Sequence, residues 1–137
     1  MEDCIFCKII NREIPADIVY EDEYAVAFLD IRPVSKGHTL LVPKNHSHDL
    51  LDSDDETLKN LMFVVKKVSR ALLKATGAKA FNLGTNNGED AGQDVFHLHF
   101  HLIPRYKNDQ LKGWPHHESD AKDRVELAEH IREFFGN

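Results

Sequence analysis

His97-Leu98-His99-Phe100-His101-Leu102-Ile103-Pro104 alternates imidazole with apolar side chains. Successive side chains of a strand point to opposite faces, so the histidines share one face and Leu98, Phe100 and Leu102 the other. The apolar set predicts an anchor in a core, and the three imidazoles predict the lining of a cleft. Imidazole acts as nucleophile, acid, base or metal ligand near neutral pH. A strand over residues 95–105 that carries a reaction centre is the expectation.

The flanking sequence supplies the rest of an α+β fold. Ile18–Glu21, 24–29, 38–43 and Ala80–Gly84 read as further strands. Ser53-Asp54-Asp55-Glu56 has the pattern of a capping box. Leu58, Leu61, Met62, Val65, Val68 and Leu72 follow it at helical spacing, to a stop near Gly77. Asp3 is placed to cap a short helix over 4–10, and Pro15 keeps it short. Residues 121–135 read as a second amphipathic helix ended by Gly136. The expected architecture is one domain over 1–137, a mostly antiparallel sheet with one long helix packed on it and a C-terminal helix.

Composition removes several function classes. The 137 residues suffice for one core. A net charge of −6, from 17 basic and 23 acidic residues, argues against nonspecific nucleic-acid binding, which needs a basic face. No apolar run is long enough for a membrane span. The opening Met1-Glu2-Asp3-Cys4 lacks the basic and then apolar pattern of a secretory signal. A cytoplasmic protein with reduced thiols is expected.

The histidine run admits three chemistries. It is an incidental surface strand, a metal site, or a covalent catalyst in which one imidazole attacks phosphorus and another stabilises charge. Two-apart histidines on a strand can share an ion, but the next acid downstream is Asp109, which fits a metal enzyme poorly. The loop that precedes the run, Asn86-Asn87-Gly88-Glu89-Asp90-Ala91-Gly92-Gln93-Asp94, favours the covalent reading, because a Gly-rich loop can aim backbone N–H groups at phosphate.

The run His97–Ile103 resembles the His-φ-His-φ-His-φ-φ signature of the histidine triad family of nucleotide hydrolases and transferases, where φ is an apolar residue. The resemblance extends through Gly92-Gln93, Gly37-His38-Thr39-Leu40-Leu41-Val42-Pro43-Lys44, Phe28-Leu29-Asp30 and Cys4-Ile5-Phe6-Cys7-Lys8-Ile9-Ile10, over most of residues 4–106. It is nearest to the nucleoside-phosphoramidase branch. It implies a HIT-like fold whose sheet continues across a homodimer. It also implies hydrolysis of a nucleoside phosphoramidate or dinucleoside polyphosphate, releasing a nucleoside monophosphate such as AMP.

By the same resemblance His99 is the nucleophile toward the α-phosphorus, and His101 stabilises transition-state charge. His97 and His38 complete the histidine cluster. Asp30 is the ribose-binding acid; without the resemblance it reads as a turn residue before Arg32-Pro33. Ile5, Phe6, Ile9 and Phe28 enclose the base, where spacing alone gives plain core. Asn86, Gly92, Gln93 and Val95 contact phosphate. Asp94 stands where many members carry Ser or Thr, and an ionised carboxylate there cannot donate a hydrogen bond and repels phosphate. The substrate implied is a purine nucleotide, adenosine-based; no nucleic acid or membrane partner is expected.

Cys4 and Cys7 have metal-ligand spacing, a weak signal alone. The resemblance implies a structural zinc held by Cys4, Cys7, His46 and His97, with His48 as the alternative to His46, and no catalytic metal. It also suggests that Phe63, Val64 and their helix neighbours join an oligomer interface and that Trp114, near His116 and His117, reaches toward a partner's site. Two rivals remain: a nucleotide-binding regulatory module with incidental turnover, and a nucleotidyltransferase. The uridylyltransferase relatives carry Gln at the third triad position, so His101 argues for hydrolysis.

Overall fold

In the computed structural model, residues 3–135 are described. The elements run α1 (Ile5–Ile10), β1 (Ile18–Glu21), β2 (Ala25–Leu29), β3 (Thr39–Pro43), α2 (Asp55–Thr76), β4 (Ala80–Gly84), β5 (Phe100–Arg105) and α3 (Ala121–Arg132). The strands form one open antiparallel sheet in the order β1-β2-β3-β5-β4.

The two-residue period of the strands sorts the side chains between two cores. On one face Ala25, Ala27, Leu41, Leu98, Phe100 and Leu102 meet Leu61, Val64, Val65 and Val68 of α2. Burying a Leu or Val of this kind stabilises the fold by about 1.5–3 kcal/mol. On the other face Val26, Phe28, Leu40 and Val42 meet Phe6 and Ile9 of α1. Leu40 pairs with His101. His38, two residues before Leu40, therefore lies diagonal to His101 on the α1 face, and Asp30, two residues after Phe28, joins them. The same alternation that builds the core gathers the polar side chains.

The histidine run departs from its predicted strand. Pairing begins only at Phe100; residues 95–99 approach it without a ladder partner. The alternation of faces nonetheless holds through Leu98. Other boundaries move for identifiable reasons. β2 starts at Ala25 because the Tyr24 and Ala25 N–H groups both donate to Asp22 Oδ1, which extends the β1–β2 turn. α1 is capped by Cys4, whose Sγ accepts from Cys7 N, and not by Asp3. α2 is capped by Asp54, whose Oδ1 accepts from Thr57 N at 2.7 Å. Ser53 instead donates its hydroxyl to Asp49 O. Gly77, at φ 78°, ends α2 as expected.

α3 stops at Arg132, with Asp120 as its N-cap and no buried residue, so it does not pack on the sheet. The proposed stop at Gly136 lies outside the described residues. Val64 is buried in its own core, which removes it from any surface, whereas Phe63 is 76% exposed. No helix among the described residues is long and apolar enough to cross a membrane.

Candidate active site

A cleft of about 290 Å³ opens between α1 and the sheet, floored by His99 and His101. Phe6, Ile9, Phe28 and Leu40 form its apolar wall, and Asp30, Asp94 and Val95 reach its edge. Ile5 also lines it. Phe6 sets its ring edge-on to both Phe28 (centroids 5.5 Å apart) and His99 (5.0 Å). The residues expected to enclose a base are thus brought together against the middle histidine.

Hydrogen bonds place the ring protons of His99, His38 and His101. His99 Nδ1–H donates to the His97 carbonyl at 2.8 Å, which leaves the Nε2 lone pair free. Thr85 Oγ1–H donates to the His99 carbonyl at 2.8 Å, holding the backbone on the other side. Val34 N–H donates to His38 Nδ1 at 3.0 Å, so the His38 proton sits on Nε2. That Nε2–H donates to His101 Nδ1 at 2.9 Å and puts the His101 proton on its own Nε2. His99 therefore offers a lone pair and His101 a donor.

Burial disfavours the charged form of His101 and His38. It lowers His101 to about 4, against which Asp30 and Asp94 pull only weakly, and it lowers His38 with Asp30 opposing. Asp30 both makes a turn contact and faces the cleft. Its Oδ1 accepts from Arg32 N at 2.8 Å, the turn contact, while Oδ2 lies 3.7 Å from His38 Nε2 within the cleft. Asp30, His38 and His101 could hold an ion by proximity alone. The proton on His38 Nε2 occupies the position where such an ion needs a lone pair.

His97 does not line the cleft, contrary to the expectation of three histidines on one wall. It is fully buried and its Nε2–H donates to the Pro43 carbonyl at 2.8 Å. Its Nδ1 lone pair points into a second cluster, 3.4 Å from Cys4 Sγ, 3.6 Å from Cys7 Sγ and 3.1 Å from His46 Nδ1. Cys7 Sγ lies 3.3 Å from His46 Nδ1. A tetrahedral zinc with bonds of about 2.0 Å to nitrogen and 2.3 Å to sulfur separates its ligands by roughly 3.3–3.8 Å, so the four donors suit that ion. Burial and Cys4 beside it push the Cys7 thiol up to about 11, and a bound cation reverses that preference. His48 is not part of the cluster: it stacks on Phe96 and faces Asp49.

The loop before the histidines is tightly self-bonded. Gln93 is buried; its Oε1 accepts from Gly88 N, and its Nε2 donates to the His48 and Val95 carbonyls. Its side chain is committed to holding the loop. Gly92 adopts φ 90°, with the Asn86 amide nearby. Asp109, the acid weighed for a metal, pairs instead with Arg105 through two contacts of 2.9 and 3.0 Å. Trp114 is 86% exposed.

Sequence reading missed Thr85, Val34 and Pro43. Two of them act through backbone atoms, which leave no trace in residue type. Thr85 carries a weak signal, a hydroxyl between a strand and the Asn-rich loop.

Comparison with known proteins shows the same fold and family. A crystal structure of a Streptococcus mutans UA159 protein superposes with a TM-score of 0.93 at 44% identity, covering 99% of this chain and 87% of that one. An adenosine 5'-monophosphoramidase of Saccharomyces cerevisiae is 44% identical over 119 residues, 85% of this chain and 73% of that protein. A zinc-bound histidine triad family protein of Mycobacterium smegmatis superposes with a TM-score of 0.78 at 36% identity, covering 96% and 98% of the two chains. The HIT domain matches residues 11–108, the span that holds the five strands and the histidines of the cleft, and the chain belongs to the histidine triad family.

Proposed function

We propose that the protein is a nucleotide hydrolase that releases AMP from an adenosine phosphoramidate or dinucleoside polyphosphate through a nucleotidyl-histidine on His99. The observation that carries the reading is the bond from His99 Nδ1–H to the His97 carbonyl, which frees Nε2 for attack. The monophosphoramidase relative supports the reaction class.

The adenine lies against Phe6, Ile9 and Phe28, and Asp30 Oδ2 accepts from the ribose hydroxyls. His99 Nε2 attacks the α-phosphorus. The His101 Nε2–H donates to a phosphoryl oxygen as charge develops there. The leaving group departs with the electron pair of its bond to phosphorus. Water then attacks the phosphorus of the intermediate, releasing AMP and restoring His99. Imidazole suits both steps, being nucleophilic when neutral and a good leaving group once attached to phosphorus.

Zinc at Cys4, Cys7, His46 and His97 supplies structure, tying α1 and the Pro43–His46 segment to the residue whose carbonyl orients His99. The four protein donors close a tetrahedral site without an open position. The zinc-bound relative supports this assignment. A homodimer in the cytoplasm completes the proposal. The edge strand β4, with Phe81 and Leu83 exposed, and the exposed Phe63 of α2 offer surface for a second copy.

The test is AMP release from adenosine 5'-phosphoramidate, followed by chromatography for the wild type and His99→Ala. The proposal expects turnover by the wild type and none above background by the variant. Equal rates would remove His99 as nucleophile.

A further inference from the structure

The segment from Asp30 to His38 joins a carboxylate of the cleft to the histidine that hydrogen-bonds His101. Its own side chains do not anchor it. Ile31 and Val34 are 88% and 52% exposed, and Arg32, Pro33 and Lys36 are exposed too. Yet the Val34 N–H has to stay on His38 Nδ1, because that bond decides which nitrogen of each ring carries the proton. The two rings have an alternative arrangement with Nδ1–H on both, which leaves His101 without a donor in the cleft. The Val34 amide opposes it, since two N–H groups would then face each other. A segment with so little apolar anchorage depends on hydrogen bonds to keep that amide in place.

Bonds within the segment close it on itself. Arg32 N–H donates to Asp30 Oδ1, His38 N–H to the Ser35 carbonyl at 3.1 Å, and Asp30 N–H to the His38 carbonyl at 2.9 Å. Two side-chain hydroxyls then tie it to the end of β5. Ser35 Oγ–H donates to the Pro104 carbonyl at 2.6 Å, and Tyr106 Oη–H donates to the Lys36 carbonyl at 2.6 Å. Both bridges lie where the ladder gives out. β3 pairs with β5 only as far as Thr39 opposite Leu102, and Pro104 has no N–H to carry the pairing further. The hydroxyls supply the bonds past that point. They join the segment that holds the Val34 amide to the strand that carries His101.

We propose that Ser35 and Tyr106 are positioning residues: by clamping the Asp30–His38 segment to the end of β5, they hold the Val34 N–H on His38 and so keep His101 a donor. Neither lines the cleft. The effect on rate rests on the hydrolase reading above; the effect on the two rings does not.

The experiment reads the rings and the rate in the wild type, Ser35→Ala, Tyr106→Phe, the double variant and Ser35→Thr. Long-range proton–nitrogen NMR correlation of isotope-labelled histidines shows which ring nitrogen carries the proton. The wild type should show His38 and His101 protonated on Nε2. The double variant should show both as a mixture of the two arrangements, with His99 still protonated on Nδ1 through the His97 carbonyl. For AMP release from adenosine 5'-phosphoramidate, kcat should fall about 5-fold in either single variant and about 10-fold or more in the double, with KM changed by no more than about 2-fold. Ser35→Thr, which keeps the hydroxyl, should retain the wild-type rings and most of kcat. Unchanged His38 and His101 rings in a folded double variant overturn the proposal whatever the rate does. Shifted rings with an unchanged kcat overturn the link from clamp to chemistry. Shifted rings in a protein whose wild type releases no AMP uphold the clamp and remove the hydrolase reading.

Discussion

His38 Nε2 stands 2.9 Å from His101 Nδ1, and because Val34 N–H already donates to His38 Nδ1, the shared proton belongs to His38. One backbone amide thus dictates, through two rings, that His101 presents an N–H to the cleft. The direction of this relay is opposite to that of the His97–His99 pair, where the carbonyl dictates that His99 presents a lone pair. Donor and nucleophile are distinguished by which backbone group each imidazole chain ends on.

Removing the relay should affect the chemistry more than binding. His38→Ala leaves the His101 proton free to sit on either nitrogen. We expect kcat to drop by about 10- to 100-fold, the range for losing one oriented hydrogen bond to a developing charge, with a smaller change in KM. His38→Asn, whose amide can still donate to His101 Nδ1, should recover part of the loss. Steady-state kinetics with adenosine 5'-phosphoramidate checks both.

Acid should weaken the fold through the same rings. His101 and His38 have folded affinities for protons below that of a free imidazole, His101 falling to about 4 from 6.5. The unfolded chain therefore binds more protons than the folded one in this window, and stability rises with pH there. It is fully present above about pH 6.5 and is lost as pH falls toward 4, with a limiting slope of about 1.4 kcal/mol per pH unit for each proton taken up. Denaturant midpoints measured from pH 7.5 to 4.5 should fall. A His101→Gln variant should show a shallower fall.

Two positions test the packing. Gly37 has φ 92°, and a Cβ there would lie 2.8 Å from Thr76 Cγ2 and 3.2 Å from both Leu72 Cδ1 and Pro104 Cγ. Gly37→Ala adds a disfavoured backbone to a clash and should cost about 1–3 kcal/mol. Ser69 is buried in α2 and its hydroxyl has no partner among the described residues. Ser69→Ala should be neutral or stabilise by up to about 1 kcal/mol, since it removes a stranded polar group and favours the helix. Urea unfolding separates the two signs.

Metal removal should act on stability before chemistry. Cys4→Ser, or chelation of the wild type, should lower bound zinc and reduce Tm by on the order of 10 °C. Turnover below the new Tm should fall less than it does in His99→Ala. Zinc content by elemental analysis, with scanning calorimetry, tests this; an unchanged zinc stoichiometry in Cys4→Ser removes the assignment.

The alternation in residues 97–102 made the face of the sheet legible, because a strand-like period of two survives even where His97 and His99 precede the paired strand. The helical spacing from Leu58 to Leu72 made α2 legible for a similar reason. Cap identities were harder to read. Asp54 and Ser53 are both good N-caps, and Cys4 took the cap from Asp3 by accepting the Cys7 N–H with its Sγ. The cleft's chemistry was only half legible. Residue types pointed to His99 and His101, and only the family resemblance to Asp30, while the placement of the ring protons rests on the Val34 amide and the His97 carbonyl. Separating His97 from the cleft required the Pro43 carbonyl, which turns its Nδ1 toward the cysteines.

The most direct measurement is intact-mass spectrometry of the protein quenched rapidly after mixing with adenosine 5'-phosphoramidate, beside His99→Ala. Covalent catalysis predicts one AMP added to the wild type and none to the variant. An adduct of the same mass on His99→Ala, or AMP release by that variant at the wild-type rate, would contradict nucleotidyl transfer through His99.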